Sequence, residues 1–172
     1  MNQDDARPIA DDEDVDHASL EAQVEVARFC EKDVITTPRD TSIRDAAALM
    51  RKYHVGSLVI VESDDDESDL VGVVTDRDLV VEVLAQNVSI DALSVGDIVQ
   101  APIETIDETT DIWEAMECMA ELGVRRLPVV DSEFYLRGII TLDDILEWFA
   151  ESMDRMRTLV ANEIWHESRA RR

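Results

Sequence analysis

A chain of 172 residues with 45% apolar side chains can bury one good core and a second small one, but not the body of a large enzyme. Forty acidic against sixteen basic residues give a net charge of -24, which repels nucleic acid and anionic membrane surfaces. No stretch reaches the roughly 20 apolar residues of a membrane helix, and residues 1–16 are acidic where a secretion signal is basic and then apolar, so a soluble cytoplasmic protein is expected.

In chain order, residues 1–16 read as a disordered acidic tail. Leu20, Val24 and Ala27 then recur at helical spacing and predict a docking helix within 17–29. A first unit over 30–86 opens a helix at Ser42, with Ile43, Ala46, Ala47, Met50 and Tyr53 on one face and Asp45 placed for a capping box. Leu58–Val61 and Leu70–Val74 predict two strands. The turn between them, Glu62 to Asp69, is almost wholly acidic and predicts a mobile, solvated loop. It lacks the Gly and Glu positions of a calcium-binding EF-hand. The second strand runs into Gly72-Val73-Val74-Thr75-Asp76-Arg77-Asp78, where Thr and Asp end the apolar run and start another helix bearing Leu79, Val80 and Val83.

A linker at 87–96 carries a short helix signal, and a second unit over 97–152 repeats the first. After Asp111 the apolar residues fall at Ile112, Ala115, Met116, Met119 and Leu122, the same spacings as before, with Glu114 at the capping position. Leu127–Val130 and Leu136–Ile140 follow as strands, and Gly138-Ile139-Ile140-Thr141-Leu142-Asp143-Asp144 opens a helix with Ile145, Leu146 and Phe149. That helix continues through Glu163 towards Trp165, so 153–172 is a helical extension in need of a partner surface. The predicted fold is therefore α/β: two tandem β-α-β-β-α repeats packed by their sheets into one pseudo-twofold module with flanking helices. The heavily acidic, Lys-poor composition, with fourteen Arg and only Lys32 and Lys52, resembles that of proteins working in concentrated salt, where self-repulsion is screened.

The doubled Gly, two apolar residues, Thr, two further residues, Asp motif, with His54–Val61 and Gly123–Asp131 as central strands, resembles a pair of CBS domains (cystathionine beta-synthase type) over roughly residues 28–152. The resemblance implies two pseudo-symmetric clefts for adenosine derivatives such as AMP, ADP, ATP or S-adenosylmethionine, and modules that often dimerise. It marks Thr36, Gly56, Thr75, Arg77, Asp78, Ile103, Arg125, Arg126, Thr141 and Asp144 as candidate ligand-binding residues. Asp78 and Asp144 could accept from ribose hydroxyls, and Thr75 and Thr141 with the helix-start amides could meet a phosphate. The alternative is that all four simply cap helices. Arg77, Arg125 and Arg126 could hold phosphate or pair with neighbouring acids. Asp143 sets a second carboxylate beside the second motif, which favours the first cleft for a phosphorylated ligand.

No catalytic or metal site is expected: His17, His54 and His166 stand apart without Glu or Cys at ligand spacing, and Cys30 and Cys118 read as packing residues. Trp113, Trp148 and Trp165 read as core or interface anchors. No cofactor is required on this reading. The expected function is a regulatory sensor of an adenosine ligand that signals to a partner protein, in a homodimer. The alternative is a scaffold or dimerisation module with vestigial clefts, carried by the long terminal helix.

Overall fold

The computed structural model describes residues 24–63, 69–86, 88–99 and 103–170, with side chains described as far as residue 162. The acidic tail, residues 17–23 of the expected docking helix and residues 64–68 of the acidic loop lie outside the described residues.

Each repeat builds one three-stranded sheet. In the first, β1 (Thr36–Pro38) runs parallel to β2 (Ser57–Val61), which runs antiparallel to β3 (Leu70–Thr75). α1 (Ile43–Tyr53) crosses between β1 and β2, and α2 opens at Asp76–Asp78 and continues as the π-helical turn Leu79–Leu84. The second repeat has the same plan: β4 (Ile106–Asp107), α3 (Ile112–Leu122), β5 (Arg126–Val130), β6 (Leu136–Thr141) and α4 (Leu142–Ala170). Even the bulge recurs, between Ile60 and Val61 in one sheet and Val129 and Val130 in the other. The predicted fold class stands.

Local chemistry explains the helix ends. The Ser42 hydroxyl accepts the Asp45 amide at the start of α1, whereas Asp111 starts α3 by accepting from the Trp113 amide, without Glu114. Both helices end on a left-handed residue, Gly123 at φ 68° and His54 at φ 58°. Glycine takes that conformation freely, and histidine takes it against steric resistance.

Ile43, Ala46 and Met50 of α1 meet Leu58 and Ile60 of β2 in the first core. Ile112, Ala115 and Met119 of α3 meet Leu127 and Val129 of β5 in the second. On the opposite face of β2, Val59 and Val61 are also buried, as is Val130 of β5. Both central strands are thus buried on both faces, one of them against the core cluster that holds the repeat's own helix.

The segment before each repeat docks on the other repeat. Val26 is fully buried in the second core and Val95 in the first. The hydrogen bonds match pair by pair: the Val26 amide donates to Thr110 O and that of Ala27 to Glu108 O, while Val95 donates to Thr41 O and Gly96 to Arg39 O. Isolated bridges join Glu25 to Asp111 and Ser94 to Ser42. This exchange corrects the end of the expected docking helix. The amides of Val24, Val26 and Ala27 are donated across to Asp111, Thr110 and Glu108 rather than to carbonyls one turn back, so Glu25 is extended and Val26–Arg28 makes only a 3-10 turn. The linker's helix signal appears as the 3-10 turns Ile90–Ala92 and Val95–Asp97. Ser94 donates its amide and hydroxyl to Asp97, and these bonds hold the Asp97 carboxyl below its ordinary range.

Two predictions test this architecture. A Cβ on Gly138 would lie 2.7 Å from both Cys30 Sγ and Glu31 O, and Glu31 exchanges two backbone hydrogen bonds with Ile139. Gly138→Ala is expected to destabilise the fold by about 1–3 kcal/mol in urea unfolding, because the exchanged segment must lift off. The second concerns Asp131, which closes the β5–β6 turn by accepting from the Glu133 and Tyr135 amides and pairing with Arg137 at 2.6 Å. Burial opposes its ionisation, but the two amides and Arg137 outweigh it and hold the carboxyl below the usual range. A depressed folded pKa stabilises the protein above the unfolded value, near 3.9, and that contribution is lost as pH falls through the folded one. The stability gap between wild type and Asp131→Asn should therefore be largest near neutral pH and shrink on acidification below about pH 4.

Candidate functional site

The two Thr-Asp motifs sit where β3 passes into α2 and where β6 passes into α4. In each, one carboxylate oxygen of the Asp takes both the amide and the hydroxyl of the Thr, and the Thr hydroxyl accepts the Asp amide in return. For Thr75 and Asp78 the distances are 2.8, 2.7 and 3.2 Å, and for Thr141 and Asp144 they are 2.8, 2.6 and 3.3 Å. Both motifs are reciprocal capping boxes.

This geometry revises the expected division of labour. The Thr75 amide and hydroxyl are engaged by Asp78, and the Arg77 amide donates to Asp76 Oδ1 at 2.8 Å. The start of α2 therefore already carries its own anions, which compete with any phosphate for the same donors. The expectation that Thr75 and the helix-start amides meet a phosphate does not fit this arrangement. Asp78 Oδ2 is committed to the cap, and Oδ1 makes no hydrogen bond to a described residue, which leaves one oxygen for a ligand hydroxyl.

Between the repeats lies a cleft of about 790 Å³, a size that suits a nucleotide-sized molecule. One wall is Val73 and Thr75 to Asp78, with Glu82 of α2; the other is Leu122 to Pro128, from the end of α3 into β5. Ile98, Ile103 and Glu104 complete it. Six of the candidate residues meet here: Thr75, Arg77, Asp78, Ile103, Arg125 and Arg126. Thr36 stands apart, exposed at the start of β1 and paired with Val59. Gly56, Thr141 and Asp144 belong to the pseudo-symmetric side, where the Gly56 carbonyl accepts the Asp76 amide. Ile98, Glu82 and Glu104 were not among the candidates. For Ile98 the signal lay in the repeat itself, since it follows the exchanged turn that carries Val95.

The arginines give the cleft its character. Arg39, Arg44, Arg137, Arg155 and Arg157 each pair with an acid within 4.0 Å. Arg77, Arg125 and Arg126 make no side-chain ion pair with any described residue, in a chain whose net charge is -24. Each of these three guanidiniums at the cleft, without an acid partner among the described residues, can offer two parallel donors to an anion. The acids Asp78, Glu82 and Glu104 line the same cleft, which therefore carries charges of both signs.

Known proteins share this plan. The chain is 38% identical over 125 residues to an uncharacterised protein of Methanopyrus kandleri, covering 72% of this chain and 62% of that one. It is 36% identical over 116 residues to the inosine-5'-monophosphate dehydrogenase of Methanocaldococcus jannaschii, covering 67% of this chain but only 22% of the dehydrogenase. Among solved structures it resembles a CBS domain pair in complex with 5'-methylthioadenosine and S-adenosyl-L-methionine, with a TM-score of 0.66 and 28% identity over 76% of this chain and 98% of that one. The CBS domain model matches twice, over residues 26–85 and 95–151, each match beginning at an exchanged turn and ending in the helix behind a capping box, and so the chain belongs to the CBS domain family.

Proposed function

We propose that this chain is a regulatory ligand-sensing module that binds an adenosine-containing ligand in the cleft lined by Asp78 and the three arginines, without catalysing a reaction. The observation that carries this reading is the set Arg77, Arg125 and Arg126, unpaired with acids among the described residues and lining one cleft between repeats. A phosphate or polyphosphate meets the guanidiniums, and Asp78 Oδ1 accepts a ribose hydroxyl. The ligands of the related CBS pair, 5'-methylthioadenosine and S-adenosyl-L-methionine, support the adenosine class, while the arginines favour AMP, ADP or ATP within it. Ligand binding biases the relative arrangement of the two repeats, and a partner protein in the cytoplasm reads that arrangement.

A second reading rests on α4. Met153, Met156, Leu159 and Val160 are more than half exposed on a helix that extends past the second core. On that reading the chain is a scaffold whose helix binds protein, with the clefts vestigial. Both readings include a homodimer that covers exposed apolar residues.

Thermal unfolding in molar salt with AMP, ADP, ATP, S-adenosylmethionine or NAD separates them. A ligand at about a hundredfold over its Kd stabilises by about 2.7 kcal/mol, and at least one adenosine ligand is expected to do so. Arg125→Ala with Arg126→Ala should weaken a phosphorylated ligand by about 1.5–3 kcal/mol without loss of stability, since both side chains reach the cleft and support no core contact. No shift with any ligand moves the function to the scaffold. Light scattering in the same salt should give twice the chain mass, and a monomer would remove the dimer from both readings.

A further inference from the structure

The pseudo-twofold relates the lined cleft to a second one, and strand pairing fixes which residues correspond. Thr75 pairs with Ser57 as Thr141 pairs with Arg126, and the Asp76 amide donates to Gly56 O as that of Leu142 donates to Arg125 O. Gly56 and Ser57 therefore stand where the first cleft has Arg125 and Arg126. Counting from each motif Thr, Asp143 stands where Arg77 does. The second cleft thus lacks all the guanidiniums of the first and carries a carboxylate in place of one.

Two further positions differ in bulk. Ile98 directly follows the exchanged turn Val95–Asp97, and Phe29 directly follows its counterpart Val26–Arg28. Glu82, seven residues beyond Thr75, corresponds to Trp148, seven beyond Thr141. Ile98 and Glu82 line the open cleft. Phe29 and Trp148 instead meet edge to face with ring centres 5.8 Å apart, and both pack against the second core. Trp148 is held further by Trp113 at 6.5 Å and Phe149 at 4.8 Å. Such aromatic pairs hold their geometry and bury large areas.

We infer that the Phe29–Trp148 pair closes the second cleft, so that the module takes one ligand per chain, at the arginine-lined cleft alone. The inference rests on the ligand site proposed above. Charge alone would still let the second cleft accept an uncharged nucleoside, because Thr141 and Asp144 repeat the Thr75 and Asp78 arrangement. Aromatic closure excludes that too, and it leaves Thr141 and Asp144 with the capping role their bonds describe.

Calorimetric titration of the full chain in molar salt with AMP, ADP, ATP and S-adenosylmethionine reads the stoichiometry directly. The expected result is one ligand per chain. Arg77→Ala should weaken the phosphorylated ligands at least about tenfold, while Asp143→Ala at the counterpart position leaves their affinity unchanged. Adenosine added to ligand-saturated protein, followed by equilibrium dialysis, should show no further binding. Two ligands per chain, adenosine binding on top of saturation, or affinity that follows Asp143→Ala and ignores Arg77→Ala would overturn the inference while leaving a ligand sensor in place. Failure of every ligand to bind overturns the sensor reading together with it.

Discussion

The reciprocal exchange of the turns at Val26 and Val95 is the contact on which the rest of the molecule depends. A CBS repeat of this length has one three-stranded sheet and two helices, too little to enclose a core of its own. Each repeat borrows a valine from the segment ahead of the other, and full burial of a valine is worth about 1.5–3 kcal/mol. The four flanking amide bonds, to Thr110, Glu108, Thr41 and Arg39, fix the register of the exchange to the residue. Because the borrowed turn enters beside the sheet, the residue that follows it, Ile98 or Phe29, is delivered to the seam between repeats. Fold and cleft are therefore set by the same contact.

Within the cleft the main conflict is between acids of the chain and an anionic ligand. A helix start normally attracts phosphate through its unpaired amides. Here Asp76 and Asp78 take those amides first, as expected where acids outnumber bases by forty to sixteen. On the proposed reading, an anion seat in such a chain comes from cations that no described acid pairs with. Placement achieves this: Arg125 and Arg126 follow the left-handed turn at Gly123, and Arg77 points from the opposite wall, while the nearest helix-start acids are tied to backbone amides. Concentrated salt screens the long-range repulsion of an anionic ligand by the chain but acts less on close bidentate contacts.

Much of the fold was legible because the chain states it twice. The identical spacings after Ser42 and Asp111, the doubled Gly-x-x-Thr-x-x-Asp motif and the long amphipathic end all became the predicted elements. The exchange was not legible, since nothing in Val24 or Ala27 says that their segment pairs with residues more than eighty positions away; helical periodicity and a 3-10 turn with one buried valine read alike. Arg77, Arg125, Arg126, Asp78 and Ile103 could be named from the motif, yet whether the arginines pair with acids is a question of distance that composition leaves open. Ile103 lines the cleft just ahead of its strand, whereas Thr36 stands at the start of β1 away from it, a difference of side that the repeat spacing alone does not fix.

The two repeats have diverged in complementary directions. The first keeps a small Ile98 and a polar Glu82 at the seam and so retains an open cleft, whose far wall is the end of α3 at Leu122 and Gly123. The second places Phe29 and Trp148 at the matching positions, and these rings join Trp113 of α3 and Phe149 of α4 in one aromatic cluster, with Trp113 and Phe149 centres 5.1 Å apart. α3 consequently touches the open cleft at its last turn and anchors the long terminal helix at its first. A ligand alters such a structure only to the extent that it binds one arrangement of the repeats better than another. A difference in how closely the arginine wall approaches Arg77 would be felt along α3, a rigid helix of eleven residues, and the aromatic cluster at its other end fixes where α4 leaves the body. Loss of one cleft to aromatic packing thus gives the remaining cleft a stiff connection to α4, which among the described residues extends past the second core.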